Sequence, residues 1–172
     1  MMQQIRKTLS ICIPLLWIAS TAAIAQEFDL VELDSTAPSE VDIIKALTPQ
    51  PPAEKPRAIA LHIQFELDSY ELTHATRESL NNVGSALISN ALSAYRFRVE
   101  GHADSTGGED YNLLLSAKRA DGVRNYLINI FEMSQDRLES VGRGERSLIN
   151  PDAPASAENQ VVLIINLGPD DS

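Results

Sequence analysis

The sequence is poor in residues that staple or ligate. It has one cysteine, Cys12, and three histidines. A lone thiol closes no intrachain disulfide. His62, His74 and His102 are scattered, and no cysteine or compact carboxylate–histidine set completes a metal's ligands. A pairing of His102 with Asp104 is only half of such a site. No Ser-His-Asp arrangement and no phosphate-cradling glycine loop is present. The chain therefore reads as a non-enzyme with no cofactor and no metal. Basic residues are also scarce: 14 Lys and Arg stand against 24 Asp and Glu, for a net charge of −10. That field excludes nucleic acid as a general partner. Any anionic polymer would have to be held by a local, well-placed site.

Long apolar runs are missing everywhere but the N-terminus. There, Arg6 and Lys7 precede an almost wholly apolar stretch from Leu9 to Ala19, followed by Ala23-Ile24-Ala25. This is the layout of an export leader, residues 1–25, with cleavage expected after Ala25. The stretch is short of the ~20 residues a membrane span needs, and Pro14 interrupts it. Leu9-Ser10-Ile11-Cys12 resembles a lipidation site only loosely, because Ile11 is bulky where a small residue is required. Without its leader the chain has no cysteine, no transmembrane span and an even more acidic balance. Its expected compartment is the periplasm.

Residues 26–57 read as a tether. They hold Pro38, Pro49, Pro51, Pro52 and Pro56, which favour an extended, semi-stiff backbone. A short helix can interrupt it: Ser39-Glu40-Val41-Asp42 is a capping-box pattern, with Val41, Ile44 and Leu47 near one face. Such a helix is too short to be stable alone, so it docks on the domain or on a partner, or stays frayed.

Residues 58–168 carry the pattern of one folded domain, followed by a tail, 169–172. Ala58 to Phe65 alternates as a strand with Ile59, Leu61, Ile63 and Phe65 on one face. Thr73 to Asn90 reads as a helix and Arg96 to Glu100 as a strand ended by Gly101. Glu109 to Ile130 reads as a second helix, Arg137 to Val141 as a strand stopped by Gly142 and Gly144, and Gln160 to Leu167 as an apolar last strand. The order β-α-β-α-β-β implies an α+β fold, a mixed sheet with helices packed against it.

The candidate site lies where the second of these strands meets the second helix. The strand ends in Gly101-His102-Ala103-Asp104, and a loop containing Gly107 and Gly108 follows. On the helix, Asn112, Ser116 and Arg119 are spaced i, i+4, i+7 and share a face. If the loop folds back, Asp104 approaches the helix's first turns. A carboxylate binds an ammonium, and a guanidinium binds a carboxylate in a planar, two-pronged fit. Together they suit the zwitterionic end of an amino acid, with Asn112 and Ser116 adding neutral hydrogen bonds. Each residue also has a plainer reading. Asp104 can cap a turn, Arg119 can be a solvated helix arginine, and Asn112 can be a helix N-cap.

The run Val99-Glu100-Gly101-His102-Ala103-Asp104-Ser105-Thr106-Gly107, with Tyr111-Asn112, Leu115-Ser116 and Arg119-Ala120, closely resembles the signature of the OmpA C-terminal-like domain. This peptidoglycan-binding module is shared by outer membrane protein A, the peptidoglycan-associated lipoprotein and flagellar motor stator proteins. The similarity spans about Ala58 to Leu167. It implies helices on one face of the sheet and a Gram-negative envelope protein of the periplasm, associated with the cell wall and outer membrane, that anchors or spaces the cell wall. It also implies that Asp104 and Arg119 hold diaminopimelate, with Asn112 and Ser116 beside them and His102, Ala103, Leu115 and Asn159 in support. The implied partners are peptidoglycan and an outer-membrane or envelope protein. The chain departs from the family pattern in three places. Ala103 stands where threonine is usual, and Gly142-Arg143-Gly144-Glu145 where Gly-Tyr-Gly-Glu is usual, without the proline expected soon after. Asn159-Gln160-Val161-Val162 replaces Asn-Arg-Arg-Val. The missing arginines leave open a second reading, a protein-interaction module on the same fold that has lost peptidoglycan binding.

Overall fold

A computed structural model describes residues 28–33, 38–51, 55–65 and 69–169. The expected leader and residues 170–172 of the tail lie outside the described residues. Five strands and three helices follow in order: β1 (Asp29–Val31), α1 (Glu40–Leu47), β2 (Arg57–Leu61), α2 (His74–Ile88), β3 (Tyr95–His102), α3 (Glu109–Phe131), β4 (Leu138–Gly144) and β5 (Val162–Pro169). The sheet order is β1-β2-β5-β3-β4. β1 runs parallel to β2 and β3 parallel to β4, while β5 enters antiparallel between β2 and β3. Each parallel neighbour is reached through a helix, as such crossovers require. The expected α+β fold is the one found.

The three helices cover one face. Their core joins Ile59, Leu61, Phe97, Val99, Leu138, Val162 and Ile164 of the sheet to Leu47, Leu80, Leu87, Val123 and Leu127. The opposite face carries a smaller cluster of Phe28, Ala58, Val161, Leu163 and Ile165, with Ile149 from the β4–β5 loop packed on it. Strand β5 is therefore buried on both sides, which explains its continuous apolar run.

The folded unit takes in residues that the sequence assigned to the tether. β1 adds an edge strand, and α1 forms behind its predicted cap, with the Ser39 hydroxyl accepting from the Asp42 N–H. The helix docks through Ile43, Ala46 and Leu47, while Val41 is 72% exposed. Of the expected Val41, Ile44 and Leu47, Leu47 is fully buried and Ile44 packs partly buried against the core, while Ile43 and Ala46 take the place expected of Val41. Carbonyls of the last helical turn have no partner within the helix. Here Asn166 donates to the Leu47 carbonyl at 2.9 Å and Arg57 to the Ala46 carbonyl at 2.5 Å. Those two bonds, from two strands, pin an element too short to stand alone.

The expected glycine stops fall inside strands. Gly101 and Gly142 are cross-strand partners in β3 and β4, and both lie under α3. A Cβ on Gly101 would stand 2.1 Å from the Ser116 carbonyl oxygen, and one on Gly142 2.5 Å from the Ala117 nitrogen. The glycines let the helix backbone settle on the strands, which sets where every α3 side chain points.

Candidate functional site

The first wall of the site is made where β2 runs out of a partner. β2 pairs with β5 only as far as Leu61 opposite Val162, so the expected strand to Phe65 leaves the sheet early. Residues 62–65 instead bend toward α2. The Thr76 hydroxyl accepts the Gln64 N–H at 3.0 Å and donates to the Gln64 carbonyl at 2.6 Å, while Phe65 bridges to Leu72. This fixes Ile63, Gln64 and Phe65 along one side of a cleft of about 490 Å³. The end of β3 and the start of α3 form its other sides, with Gln160 and Val161 at the entry to β5.

Asp104 lines this cleft and is 6% exposed. One carboxylate oxygen accepts from the Thr106 N–H at 2.8 Å and from the Thr106 hydroxyl, and the other accepts from the Gln160 amide. Burial pushes this carboxyl upward. The hydrogen bonds from Gln160 and Thr106, with the charge of Arg119, outweigh burial and hold it below the ordinary carboxylate range. Asp104 is therefore ionised, and its direct hydrogen-bond partners are neutral.

Arg119 lines the same cleft. Its guanidinium lies 4.7 Å from the centroid of the Phe65 ring, a stacking that orients the planar group without neutralising it. Burial lowers its pKa against the opposing pull of Tyr111 and Asp104, but a guanidinium stays charged at any physiological pH. Its Nε is buried and has no hydrogen-bond partner among the described residues, and it makes no ion pair with them. A buried charged donor left unmatched is costly, so the arrangement favours an incoming acceptor.

Asn112 holds the loop. Its amide nitrogen is within hydrogen-bond distance of the Asp104 carbonyl at 3.2 Å, the Thr106 carbonyl at 3.0 Å and Glu145 at 2.6 Å. The helix N-cap is Gly108, not Asn112. Asn112 lines the cleft, as do His102, Ala103 and Leu115, but its donors are spent on folding the loop back toward α3. His102 is buried, with Nδ1 2.7 Å from the Ser147 carbonyl and Nε2 3.6 Å from Glu100.

Ser116 and Asn159 do not line the cleft. The Ser116 hydroxyl donates to the Leu113 carbonyl at 2.9 Å and accepts the Gly144 N–H at 2.8 Å, which uses it up in the seam between α3 and β4. Asn159 is fully buried and organises the β4–β5 loop through Asn150, Ala153 and Pro154. The shared helix face of Asn112, Ser116 and Arg119 thus divides, because the close approach permitted by the glycines turns Ser116 inward. The sequence reading also missed Phe65, placed only on one strand face with Ile59, Leu61 and Ile63, and Gln160, counted only as a lost arginine. An aromatic at the end of an alternating strand was the one available signal for the former.

Among the described residues no group of three or more His, Cys, Asp or Glu can hold a metal ion, and no helix is long and apolar enough to cross a membrane.

Comparison with known proteins places this geometry in context. The OmpA family profile matches residues 64–161. Outer membrane porin F of Pseudomonas aeruginosa is 29% identical over 56% of this chain and 27% of its own length. The peptidoglycan-associated lipoprotein of Haemophilus influenzae is 30% identical over 59% of this chain and 66% of its own. The chain thus spans about a quarter to two thirds of these relatives. Among solved structures, the periplasmic domain of Helicobacter pylori MotB superposes with a TM-score of 0.57 at 18% identity, covering 69% of this chain and 76% of that one. The OmpA-like domain of FopA1 from Francisella tularensis gives 0.53 at 18% identity, covering 67% and 77%. These structural likenesses bear on the fold.

Proposed function

The chain belongs to the OmpA family, and from that premise we propose that its folded unit binds peptidoglycan non-covalently by gripping the diaminopimelate of the stem peptides. One observation carries the reading. A buried, ionised Asp104 with neutral hydrogen-bond partners shares a cleft with the half-buried Arg119, whose buried Nε has no partner among the described residues. The free end of diaminopimelate presents an ammonium and a carboxylate on one carbon. Asp104 takes the ammonium and Arg119 the carboxylate, each through a charge-assisted hydrogen bond. Phe65 holds the guanidinium plane, and Asn112 keeps Asp104 in reach by tying its loop to α3. Nothing is made or broken, so the protein acts as an anchor or spacer in the envelope, exported by a leader that is cleaved after Ala25. A protein partner completes the link to the outer membrane. The relatives named for peptidoglycan association support this assignment.

The test is retention on purified sacculi together with titration by the tripeptide L-Ala-γ-D-Glu-meso-diaminopimelate, with the lysine-containing tripeptide as control. Selective binding of the diaminopimelate peptide that disappears in Arg119→Ala is the expected result. No binding by the folded wild-type protein at millimolar peptide would reject this reading in favour of a protein-interaction module.

A further inference from the structure

One edge of the sheet is left open. Among the described residues β1 pairs with β2 alone, and no strand lies beyond it. The Asp29 N–H donates to the Pro56 carbonyl at 2.7 Å, so Asp29 and, by the alternation of a parallel ladder, Val31 turn their backbone groups toward β2. Those of Leu30 and Glu32 point outward, a row of donors and acceptors that can take on a further strand. Each face of this edge has a cavity. On the helix side, one of about 330 Å³ is lined by Val31, Leu33, Pro38 and Ala46. On the open side, one of about 510 Å³ has Leu30, Ala60, Ile149 and Val161 as its apolar lining. Glu32 and Leu33 belong to both. Successive side chains of a strand laid along β1 would therefore point to one cavity and then the other.

Charge decides which strand fits. Glu32, Asp152 and Glu158 also line the open-side cavity, and no lysine or arginine among the described residues does. Glu158 accepts from the neutral Asn150 amide at 2.6 Å, and none of the three carboxylates makes an ion pair with the described residues. On the helix side Asp42 is offset by Lys45 and Arg57, so that cavity asks for apolar side chains. We infer that the β1 edge docks an extended segment of a partner protein in which basic and apolar residues alternate, added to the sheet as a further strand with its basic side chains on the open face. A lysine or arginine there lays its stem along the apolar lining and holds its head at the carboxylates. A second copy of this chain is the poorer occupant, because pairing two β1 edges would crowd Asp29 and Glu32 of both copies along one seam. None of residues 30–33 lines the cleft of Asp104 and Arg119, so the inference stands apart from the peptidoglycan reading and gives the envelope partner a place to bind.

The experiment follows the backbone amides of the purified protein by NMR during titration with a short, end-blocked peptide of alternating lysine and valine. Its controls are the glutamate–valine counterpart and the lysine–valine peptide N-methylated along its backbone. The lysine–valine peptide is expected to shift the Leu30 and Glu32 amides and to slow their hydrogen exchange, and the two controls are expected to do neither. Glu32→Lys and Asp152→Lys are each expected to weaken the lysine–valine peptide by about tenfold, the scale of one charge contact reversed. Both variants should bind the diaminopimelate tripeptide as wild type does, and melting curves establish that each is folded. No response at Leu30 and Glu32 at millimolar peptide would overturn the inference. Equal binding of the glutamate–valine peptide would overturn the charge argument, and equal binding of the N-methylated peptide would overturn strand addition. Leu30 and Glu32 amides already protected in the free protein would also overturn it. Protection that grows with protein concentration would assign the edge to a second copy, and protection independent of concentration to another segment of this chain.

Discussion

Two carboxylates stand four residues apart near the end of β3, both buried and both ionised, and they do opposite things. Glu100 is 1% exposed and Asp104 6%. Arg143 grips Glu100 with two hydrogen bonds, at 2.7 and 3.0 Å, and Arg98 and His102 stand at 3.3 and 3.6 Å. Burial raises that carboxyl, but His102 and Arg143 overwhelm burial and hold it at about 2. Asp104 has amide and hydroxyl partners and no cation within ion-pair distance among the described residues. The first carboxylate is spent on the fold, the second is held in place with its charge uncommitted. The two arginines divide in the same way. Arg143 is committed to Glu100, whereas Arg119 lies over a ring with an unmatched Nε. Burial and ionisation alone do not mark a binding residue. What marks it is whether the protein has already neutralised the charge.

The strongest way to break this contrast is to remove the structural carboxylate. Glu100→Ala removes the carboxylate that Arg143, Arg98 and His102 share. Disrupting a buried, hydrogen-bonded pair from one side costs about 3–5 kcal/mol, so the melting temperature should fall steeply. Peptide affinity measured on the folded fraction should stay near wild type. A Glu100→Ala protein that melts normally but binds poorly would reverse the assignment of the two carboxylates.

Acid separates the same pair without mutation. A carboxyl held at about 2 rather than its ordinary 4.5 contributes stability that is fully present above pH 4.5 and is lost as pH falls through 2. The expected loss across that window is on the order of 3 kcal/mol, read as a drop in unfolding free energy in denaturant titrations at successive pH. Asp104 is also held below its ordinary range, so peptide binding should persist below pH 4 for as long as the protein stays folded. Binding lost as pH falls through the ordinary carboxylate value of 3.8 would show that the hydrogen bonds of Asp104 do not hold its charge.

Arg119→Ala tests the other half. Losing a two-pronged contact with the ligand carboxylate should weaken the peptide by about a hundredfold. Stability should change by about 1 kcal/mol or less, the scale of the ring contact alone. A large drop in melting temperature would place Arg119 with Arg143, as a structural cation.

How much of this was legible beforehand follows from how local each cause is. The periodicity of α3 and the apolar run of β5 depend on neighbours in sequence, and both elements appear within a few residues of their expected bounds. That Asp104 and Arg119 line one cleft was readable from the strand–loop–helix order. The commitment of Glu100 to Arg143 was not, because the partners lie 43 residues apart. Nor was the role of Gln160, which depends on the β4–β5 loop delivering it to the cleft. Gly101 and Gly142 read as strand stops because glycine often is one. Only the contact with α3 explains why strands must continue through them.

Ser116 sharpens the comparison at its smallest scale, since the helix period puts it on the face of Arg119 while packing puts it in the seam. Its hydroxyl satisfies the N–H of Gly144, which is buried at the end of β4. Ser116→Ala removes that acceptor and fills no new space, so the N–H is left buried and unmet, at a cost of about 1–2 kcal/mol. Neither Asp104 nor Arg119 loses a partner, so peptide affinity should remain within about twofold of wild type, an effect too small to reflect a lost ligand hydrogen bond. Lower stability with unchanged affinity, from one melting curve and one titration, places Ser116 with Glu100 on the structural side. Unchanged stability with a tenfold loss of affinity would instead return it to the cleft. The seam would then be loose enough for the hydroxyl to reach the ligand, and the rigid seating of α3 on its two glycines would need to be reconsidered.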